Sequence, residues 1–108
     1  MPRSLGSSTI LVLQALAAGY RYGFDIMDAT ELPSGTVYPI LGKLEESGLA
    51  RGAWEDPRIG RREKRPPRRY YQITGAGATA LEEALRRMKA LAPRPRRGAP
   101  GKPSPATG

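Results

Sequence analysis

The segment Leu32-Pro-Ser-Gly-Thr-Val-Tyr-Pro-Ile-Leu-Gly-Lys-Leu-Glu-Glu-Ser-Gly-Leu49 has the pattern of one helix between two backbone breaks. Proline lacks an N–H and disfavours helix in the residue before it. The helix is therefore expected to begin after Pro33, with Ser34 as its N-cap, and to run through Ser47. Apolar residues recur at i, i+4 and i+7, which predicts one buried stripe. The stripe consists of Val37, Leu41 and Leu44, with Ile40 beside it.

The end of this helix and an internal proline carry further information. Gly48 stands where a left-handed residue commonly ends a helix, and Leu49 can then fold back on Leu44. Pro39 removes one backbone hydrogen bond, so the first turn is expected to be distorted or partly 3₁₀. A helix that only packs would not favour this proline, whereas a helix whose first turn fits another surface would.

Two helices are predicted before this segment. The first has Ser7 or Ser8 as its expected N-cap and ends at Gly19. Its apolar face comprises Ile10, Leu13, Leu16 and Ala17. A second, shorter helix is predicted over residues 22–31, with Asp25 and Asp28 on its wetter side. Its expected packing residues are Phe24, Ile26, Met27 and Ala29.

After the third helix the sequence alternates in the manner of strands. Two antiparallel strands are predicted over residues 49–54 and 69–74. Residues 58–69, the basic segment, connect them and are expected to form a loop. Trp54 is interpreted as a packing residue that anchors this hairpin.

A last helix, capped by Thr74, is predicted over residues 75–92. Its apolar residues follow a 4-3-4 spacing. They are Leu81, Leu85, Met88 and Ala92. The element order predicts a mainly α fold with a small two-stranded β-wing, that is, a winged helix-turn-helix with an additional C-terminal helix.

The composition excludes most catalytic chemistry. The 108 residues include no Cys and no His, so the chain has no thiol nucleophile, disulfide, imidazole base or Cys/His zinc site. The acidic pairs Asp25/Asp28 and Glu45/Glu46 have the spacing of exposed helix faces. No cofactor is expected, and the chain is predicted not to be an enzyme.

The formal net charge of +8 is unevenly distributed. Residues 1–57 carry a net −3, residues 58–69 carry +6, residues 70–92 carry +1 and residues 93–108 carry +4. A local basic patch indicates an anionic partner, most often nucleic acid. The last of these ranges is rich in Pro and Gly and is predicted to be a disordered tail, which leaves one folded unit over residues 5–92. The tail either reaches a neighbouring phosphate backbone or is solvated without a role.

The apolar run over residues 10–18 superficially resembles a secretory signal peptide. It is short, is interrupted by Gln14 and follows a single charge, so a helix of the folded unit in a cytoplasmic protein is the preferred interpretation. No stretch approaches the ~20 apolar residues that cross a membrane, and no membrane partner is expected.

Several stretches together resemble the PadR family of bacterial transcriptional regulators. They are residues 32–49, Trp54-Glu55, Arg68-Arg-Tyr-Tyr-Gln-Ile-Thr-Gly-Ala-Gly77 and Tyr22-Gly-Phe-Asp-Ile26. The resemblance covers about residues 9–85 and implies a dimeric winged-helix repressor whose terminal helix is the dimerisation element. Gly75 and Gly42 depart from the residue types that are commoner in the family.

The resemblance also implies which residues contact DNA. The helix that begins near Ser34 enters the major groove, and the basic segment approaches phosphate or the minor groove. The recognition-helix residues are Ser34, Gly35, Thr36, Tyr38, Pro39 and Lys43, and Tyr22 is the contact from the second helix. The wing residues are Arg58, Arg61, Arg62, Lys64, Arg65, Arg68 and Arg69. The dimerisation residues are Leu81, Leu85, Met88 and Ala92.

Double-stranded DNA is therefore the expected partner of a homodimer, with half-sites about 34 Å apart. Alternatives stay open: a monomer that buries the apolar face of its last helix, and an adaptor whose wing binds an acidic protein or RNA without base readout. Thr36 and Tyr38 can also be a turn residue and a half-buried aromatic. The resemblance allows a small aromatic effector, but the last helix offers it only Leu, Met and Ala side chains.

Overall fold

The computed structural model describes residues 5–91. The predicted tail and Ala92 lie outside this range. The described elements are α1 (Ser7–Ala17), α2 (Gly23–Thr30), α3 (Ser34–Glu46), β1 (Ala50–Trp54), α4 (Pro57–Arg62), β2 (Arg69–Ile73) and α5 (Gly75–Leu91). The predicted fold class, mainly helical with a two-stranded antiparallel wing, is confirmed. Over the same range, no helix combines the length and the apolar character needed to cross a bilayer.

The core lies where α1, α2 and α3 meet one another. Leu13, Ile26 and Leu41 are fully buried there, and each such side chain contributes roughly 1.5–3 kcal/mol through the hydrophobic effect. The predicted stripe of α3 is confirmed, since Val37 and Leu44 are also buried. The buried face of α1 is wider than predicted and includes Val12 and Ala15, while Ala17 is exposed. It is wider because α1 contacts α2, α3, α5 and β2.

The helix starts differ from the predicted serine caps. The cap residue of α1 is Gly6 and that of α3 is Pro33, and neither helix has a side-chain cap bond. Pro33 has φ −73° and ψ 161°, so the extended cap position falls on the proline and Ser34 becomes the first helical residue. The Pro33 carbonyl accepts from the N–H groups of both Thr36 (2.9 Å) and Val37 (3.0 Å). Such a shared carbonyl is common at helix ends. Ser34–Glu46 is α-helical throughout, with Pro39 inside it, so the predicted 3₁₀ turn is not seen beyond this shared bond.

The end of α3 follows the predicted Schellman pattern. Gly48 has φ 77°. The N–H of Leu49 donates to the carbonyl of Leu44 at 2.8 Å, and that of Gly48 donates to the carbonyl of Glu45 at 3.1 Å. Leu49 then packs against the core.

A single hydroxyl joins the end of α3 to the start of α5. Thr74 Oγ1 donates to the Gly48 carbonyl at 2.6 Å and accepts from the Gly77 N–H at 3.0 Å, which confirms Thr74 as the cap of α5. A Cβ on Gly77 would overlap the Leu49 carbonyl oxygen. The start of α5 therefore lies directly on the turn that follows α3.

The wing consists of β1, β2 and the intervening residues 55–68. Its strands pair antiparallel from Ala50 opposite Ile73 to Trp54 opposite Arg69. The basic segment contains α4, so the prediction of a plain loop was wrong.

A strong start signal explains α4. Pro57 occupies the first turn, and the Asp56 carboxylate accepts from the Arg58 N–H at 2.9 Å. A Cβ on Gly60 would lie 2.6 Å from the Arg65 carbonyl oxygen, so α4 packs closely on the returning chain.

Residues before α2 attach the wing to the helices. The Tyr71 N–H donates to the Arg21 carbonyl at 2.8 Å, and Tyr22 forms a β-bridge with Tyr70. This pairing keeps Tyr22 extended, so α2 begins at Gly23, one residue later than predicted.

Three exposed residues were predicted to pack. Phe24 is 73% exposed and Ala29 is exposed, because the two turns of α2 bury only the side that carries Gly23 and Ile26. Trp54 is 65% exposed at the open end of β1. The Arg69 guanidinium lies 5.5 Å from its ring centroid.

Candidate nucleic-acid interface

The recognition surface is the set of six residues predicted on the third helix: Ser34, Gly35, Thr36, Tyr38, Pro39 and Lys43. Five of them are exposed and Thr36 is half-buried. Val37 and Leu41 on the opposite side of α3 are fully buried and hold the helix in place. No side chain of the described residues caps α3, so N–H groups at its start remain available to an anion.

Tyr38 occupies the junction of α2 and α3. It is 47% exposed, and its ring lies against the backbone of Gly23. A Cβ on Gly23 would lie 2.5 Å from both Cζ and Oη of Tyr38, so only glycine leaves room for this ring position. The sequence analysis did not identify this role of Gly23. Its signal is the Tyr22-Gly23-Phe24 motif at the start of the second helix.

A groove of about 250 Å³ separates the recognition surface from the wing. Its lining residues are Tyr22, Gly23, Phe24, Tyr38, Arg68 and Arg69. An adjoining groove of about 340 Å³ is lined by Tyr22, Phe24, Asp25 and Arg68. Tyr38 and the wing arginines thus border one depression, which has aromatic walls and a basic rim.

The seven predicted wing cations fall into two groups. Arg58, Arg65 and Arg69 form ion pairs with Asp56, Glu55 and Glu45, respectively. Arg61, Arg62, Lys64 and Arg68, the open wing cations, are exposed and form no ion pair among the described residues. Three acidic partners from outside the basic segment therefore reduce its formal charge from +6 to +3.

Arg65 and Arg69 differ most from the predicted role. The Arg65 side chain is 19% exposed and forms ion pairs with Glu55 at 2.8 Å and Glu63 at 3.1 Å. The Arg69 guanidinium lies between the rings of Trp54 and Tyr71, 5.5 and 5.7 Å from their centroids. Both side chains contribute to the structure of the wing. Sequence spacing cannot separate such residues from open cations, since the partners come from other elements.

Glu55 is the buried charge at the base of the wing, with 6% of its surface exposed. Its carboxylate accepts from Arg65 Nη1 (2.8 Å), Arg65 Nη2 (3.1 Å), the Arg68 N–H (3.1 Å) and the Tyr22 hydroxyl (2.9 Å). The Arg65 guanidinium in particular, against the opposing effect of burial, lowers the pKa of Glu55 from 4.5 to about 2. The hydrogen bond to Glu55 raises the pKa of Tyr22.

Tyr22 was predicted to contact DNA from the second helix. In the structure its hydroxyl donates to Glu55, its ring meets that of Tyr70 edge to face at 6.5 Å, and the Arg68 guanidinium lies 5.9 Å from its ring centroid. Glu55 was not predicted as a site residue, because its partners lie 10, 13 and 33 residues away along the chain.

The predicted dimerisation face of α5 is divided. Leu81 is buried in the core of its own chain, together with Ala84. Leu85 and Met88 are 37% and 49% exposed. A mainly apolar groove of about 410 Å³, lined by residues that include Ala17, Leu81 and Leu85, lies beside the contact between α1 and α5.

Within residues 5–91, no group of three His, Cys, Asp or Glu side chains is arranged to hold a metal ion. Each acidic residue that forms an ion pair in this range binds an arginine; these residues are Glu45, Glu55, Asp56 and Glu63. The site is therefore built from hydroxyl, aromatic and cationic groups, which can bind a polyanion by hydrogen bonds and charge.

Comparison with known proteins identifies relatives of this fold. A family model described as the transcriptional regulator PadR-like family matches residues 12–83. The structure of a PadR family transcription regulator from Clostridium difficile R20291 is 23% identical, with a TM-score of 0.69 over 80% of this chain and 91% of that chain. A PadR-like transcription factor from Bacteroides fragilis is 28% identical, with a TM-score of 0.66 over 77% and 81%.

A further solved structure concerns Bordetella bronchiseptica BpsR, whose DNA binding is regulated by 6-hydroxynicotinic acid. It is 22% identical, with a TM-score of 0.69 over 98% of this chain and 74% of that chain. Comparison with curated protein sequences finds no match.

Proposed function

We propose that this chain, which belongs to the PadR-like family of transcriptional regulators, is a dimeric repressor that binds an inverted-repeat DNA operator. As a family member it is a DNA-binding regulator and not an enzyme. A repressor acts where the chromosome lies, so the proposal includes a cytoplasmic location. The open wing cations bind phosphate, and the recognition surface reads base edges in the major groove.

The observation that carries this proposal is the shared groove between Tyr38 and Arg68. Hydroxyl groups of Thr36 and Tyr38 can donate to or accept from base edges, and the Lys43 ammonium adds one donor from the same helix. The wing supplies positive charge on the other side of the groove. A DNA backbone that follows the groove would have base edges on one side and phosphate-binding cations on the other.

The dimer rests on the exposed apolar residues of α5. Leu85 lies one helical turn and Met88 about two turns beyond the buried Leu81, on a helix of 17 residues. A second copy of α5 would cover them in a two-fold arrangement, which places two recognition helices on half-sites about 34 Å apart. We do not include an effector, because this face presents no aromatic ring on which a planar ligand could stack.

A fluorescence anisotropy titration tests the proposed function. The labelled duplex is the DNA upstream of the gene that encodes this chain, and a random duplex of equal length is the control, at several salt concentrations. We expect the upstream duplex to bind on the order of 10³-fold or more tightly than the random one. Equal affinity for both duplexes would instead favour the adaptor, which binds polyanions without base readout.

Analytical ultracentrifugation tests the dimer. Leu85→Glu places a charge on the exposed face of α5 and should give a monomer. Phe24→Glu adds the same charge to an exposed apolar residue of α2 and should leave the dimer intact. A Leu85→Glu protein that sediments as a dimer would contradict the assignment of this face.

A further inference from the structure

Glu55 joins three separate parts of the chain at one buried carboxylate. The Tyr22 hydroxyl reaches it from the residue that precedes α2, and the Arg65 guanidinium and the Arg68 N–H reach it from the chain between α4 and β2. The Glu55 N–H donates in turn to the Arg68 carbonyl at 2.8 Å. The base of the wing is therefore closed by both the backbone and the side chain of one residue.

The same contacts fix where the open wing cations lie. The segment from Arg58 to Lys64 leaves the base of the wing at Glu55 and returns to it at Arg65. Within it, α4 is capped by Asp56 and packs through Gly60 on the Arg65 carbonyl. Because α4 buries little apolar surface, we expect hydrogen bonds and ion pairs to hold the segment, and the Glu55–Arg65 pair, where the segment returns, is the most buried of the ion pairs.

We infer that Glu55 is a positioning residue for DNA binding: its carboxylate locks the wing to the start of α2, and so presents Arg61, Arg62 and Lys64 to phosphate in one geometry. The inference rests on the proposed DNA-binding function. Like charges on a short segment repel one another, and a segment without the lock would spread. A fixed segment avoids the entropy cost of ordering its side chains when it binds.

Tyr22 then supports DNA binding by its hydrogen bond to Glu55, where a direct contact with DNA was predicted. Its ring, beside Tyr70 and Arg68, lines the groove, but its hydroxyl donates to Glu55, and through this bond Tyr22 acts on the position of the wing. Arg65 likewise has a structural role in the wing, since its charge is paired with Glu55 and Glu63.

The decisive variant is Glu55→Gln, because an electrostatic role and a positioning role of Glu55 predict opposite changes in the affinity for DNA. Removal of a negative charge beside the wing should strengthen binding to DNA if electrostatic attraction alone matters. It should also free Arg65 to bind phosphate. If Glu55 positions the wing, the loss of the lock should weaken binding despite the added positive charge.

Glu63→Gln is the matched control. Glu63, like Glu55, lies in the wing and contacts Arg65, in its case at 3.1 Å. Its replacement by Gln changes the net charge by the same amount. Its side chain is 55% exposed, so it does not contribute to the buried lock. The two variants therefore differ in burial and position but not in charge.

The experiment measures dissociation constants of the dimer for the upstream and random duplexes over a series of salt concentrations. We expect Glu55→Gln to bind both duplexes about tenfold more weakly than the wild type, because wing side chains must be ordered on binding. The slope of log K against log salt should fall by about 0.9 for each phosphate contact that is lost. Glu63→Gln should bind as the wild type does or slightly more tightly.

Tyr22→Phe gives a second reading at unchanged charge. It removes only the hydroxyl that donates to Glu55, and binding should weaken several-fold, by less than in Glu55→Gln. In the Glu55→Gln background the same change should have no further effect, whereas a direct contact between Tyr22 and DNA would give additive losses.

Equal binding by Glu55→Gln and Glu63→Gln would overturn the inference. If circular dichroism shows that Glu55→Gln does not fold, the folded Tyr22→Phe protein decides, and unchanged binding by it would overturn the inference as well. Failure of the proposed function has a different signature, since the wild type would then show no preference for the upstream duplex. The effect on affinity for the random duplex still tests the lock in that case.

Discussion

The recognition surface and the wing are held in place by different forces. Beneath the recognition surface, Val37 and Leu41 are fully buried, and one of its six members, Lys43, is charged. The strands of the wing also reach the core, through Ala50 and Tyr71. Beyond them, residues 55–68 bury a carboxylate at the base of the wing and are held by ion pairs and hydrogen bonds. Apolar packing supports the part that we propose to read sequence, and polar contacts support the part that we propose to bind phosphate.

The difference shows that a charge count overestimates what is available to DNA. The basic segment carries seven cations, but three of them bind acidic side chains of the same chain. We expect the rest, the open wing cations, to determine the salt dependence of binding. Charges that form internal pairs determine the shape of the wing instead.

The largest expected effect comes from removing open wing cations. The combined change Arg61→Ala, Arg62→Ala and Lys64→Ala should reduce the salt slope by about 0.9 per lost contact, or about 2.7 in all. Affinity for every duplex should fall on the order of a hundredfold or more at ~0.1 M salt. The preference for operator over random DNA should stay nearly constant, as measured by anisotropy titrations.

The matched control removes the same residue types from α5. Arg86→Ala, Arg87→Ala and Lys89→Ala change the net charge equally, at exposed positions outside the wing. An equal loss of slope in this control would mean that total charge matters and that the division between the two regions is wrong.

A smaller but more selective effect is expected from Tyr38→Ala. Loss of a base contact should reduce the preference for operator over random DNA by ~1–3 kcal/mol and leave the salt slope unchanged. Competition titrations with random duplex measure this preference. Tyr20→Ala is the control, since Tyr20 is 45% exposed but lies outside the recognition surface. Equal losses on both duplexes would show that Tyr38 contributes to affinity without reading bases.

Gly23→Ala should have an intermediate effect of a few-fold on the same preference. The new Cβ would meet the Tyr38 ring, which must move away from its position. Gly42→Ala provides the comparison within α3, because no atom lies within 4 Å of its added Cβ. That variant should be more stable by up to ~1 kcal/mol and keep its preference. If Gly23→Ala leaves the preference for operator DNA unchanged, the ring position that Gly23 permits to Tyr38 is not needed for base readout.

The smallest effect concerns pH and the wing. The pKa of Glu55 is about 2 in the folded protein and 4.5 for an unperturbed glutamate. Its contribution to stability is therefore complete above about pH 4.5 and is lost as the pH falls toward 2. The free energy of unfolding, measured by urea titration at pH 7, 5, 4 and 3, should decrease less toward low pH in Glu55→Gln than in the wild type. Parallel curves for the two proteins would mean that the carboxylate has no special partners in solution.

Much of the fold could be predicted, because its helices and strands follow simple periodicities. The stripe of α3, the end at Gly48, the two strands and the cap at Thr74 all depend on neighbouring residues and were predicted correctly. The missed helix α4 also has a local signal, Asp56-Pro57, but Pro and Gly in a basic run favoured a loop. Ser34 was misassigned because Pro33 already supplies the extended cap position.

Features of the candidate site that depend on distant partners could not be predicted. The contacts of Arg65 and Tyr22 with Glu55 exist only once β1 and β2 have paired. Phe24 and Trp54 were expected to pack because large apolar residues usually do, yet each lies on a side of its element that no other element covers. Sequence spacing identified which residues are basic or aromatic, and folding determines which of them are open.

Thr74 couples the orientation of α5 to the position of α3. Its hydroxyl binds the turn that ends α3 and caps α5 at the same time, and Gly77 seats the first turn of α5 on the Leu49 carbonyl. Beyond these contacts α5 extends over 17 residues, about 25 Å. Within the described residues, these contacts join the start of α5 directly to the turn that ends α3. We therefore expect a tilt of α5 to move the turn that ends α3, the helix that carries Tyr38.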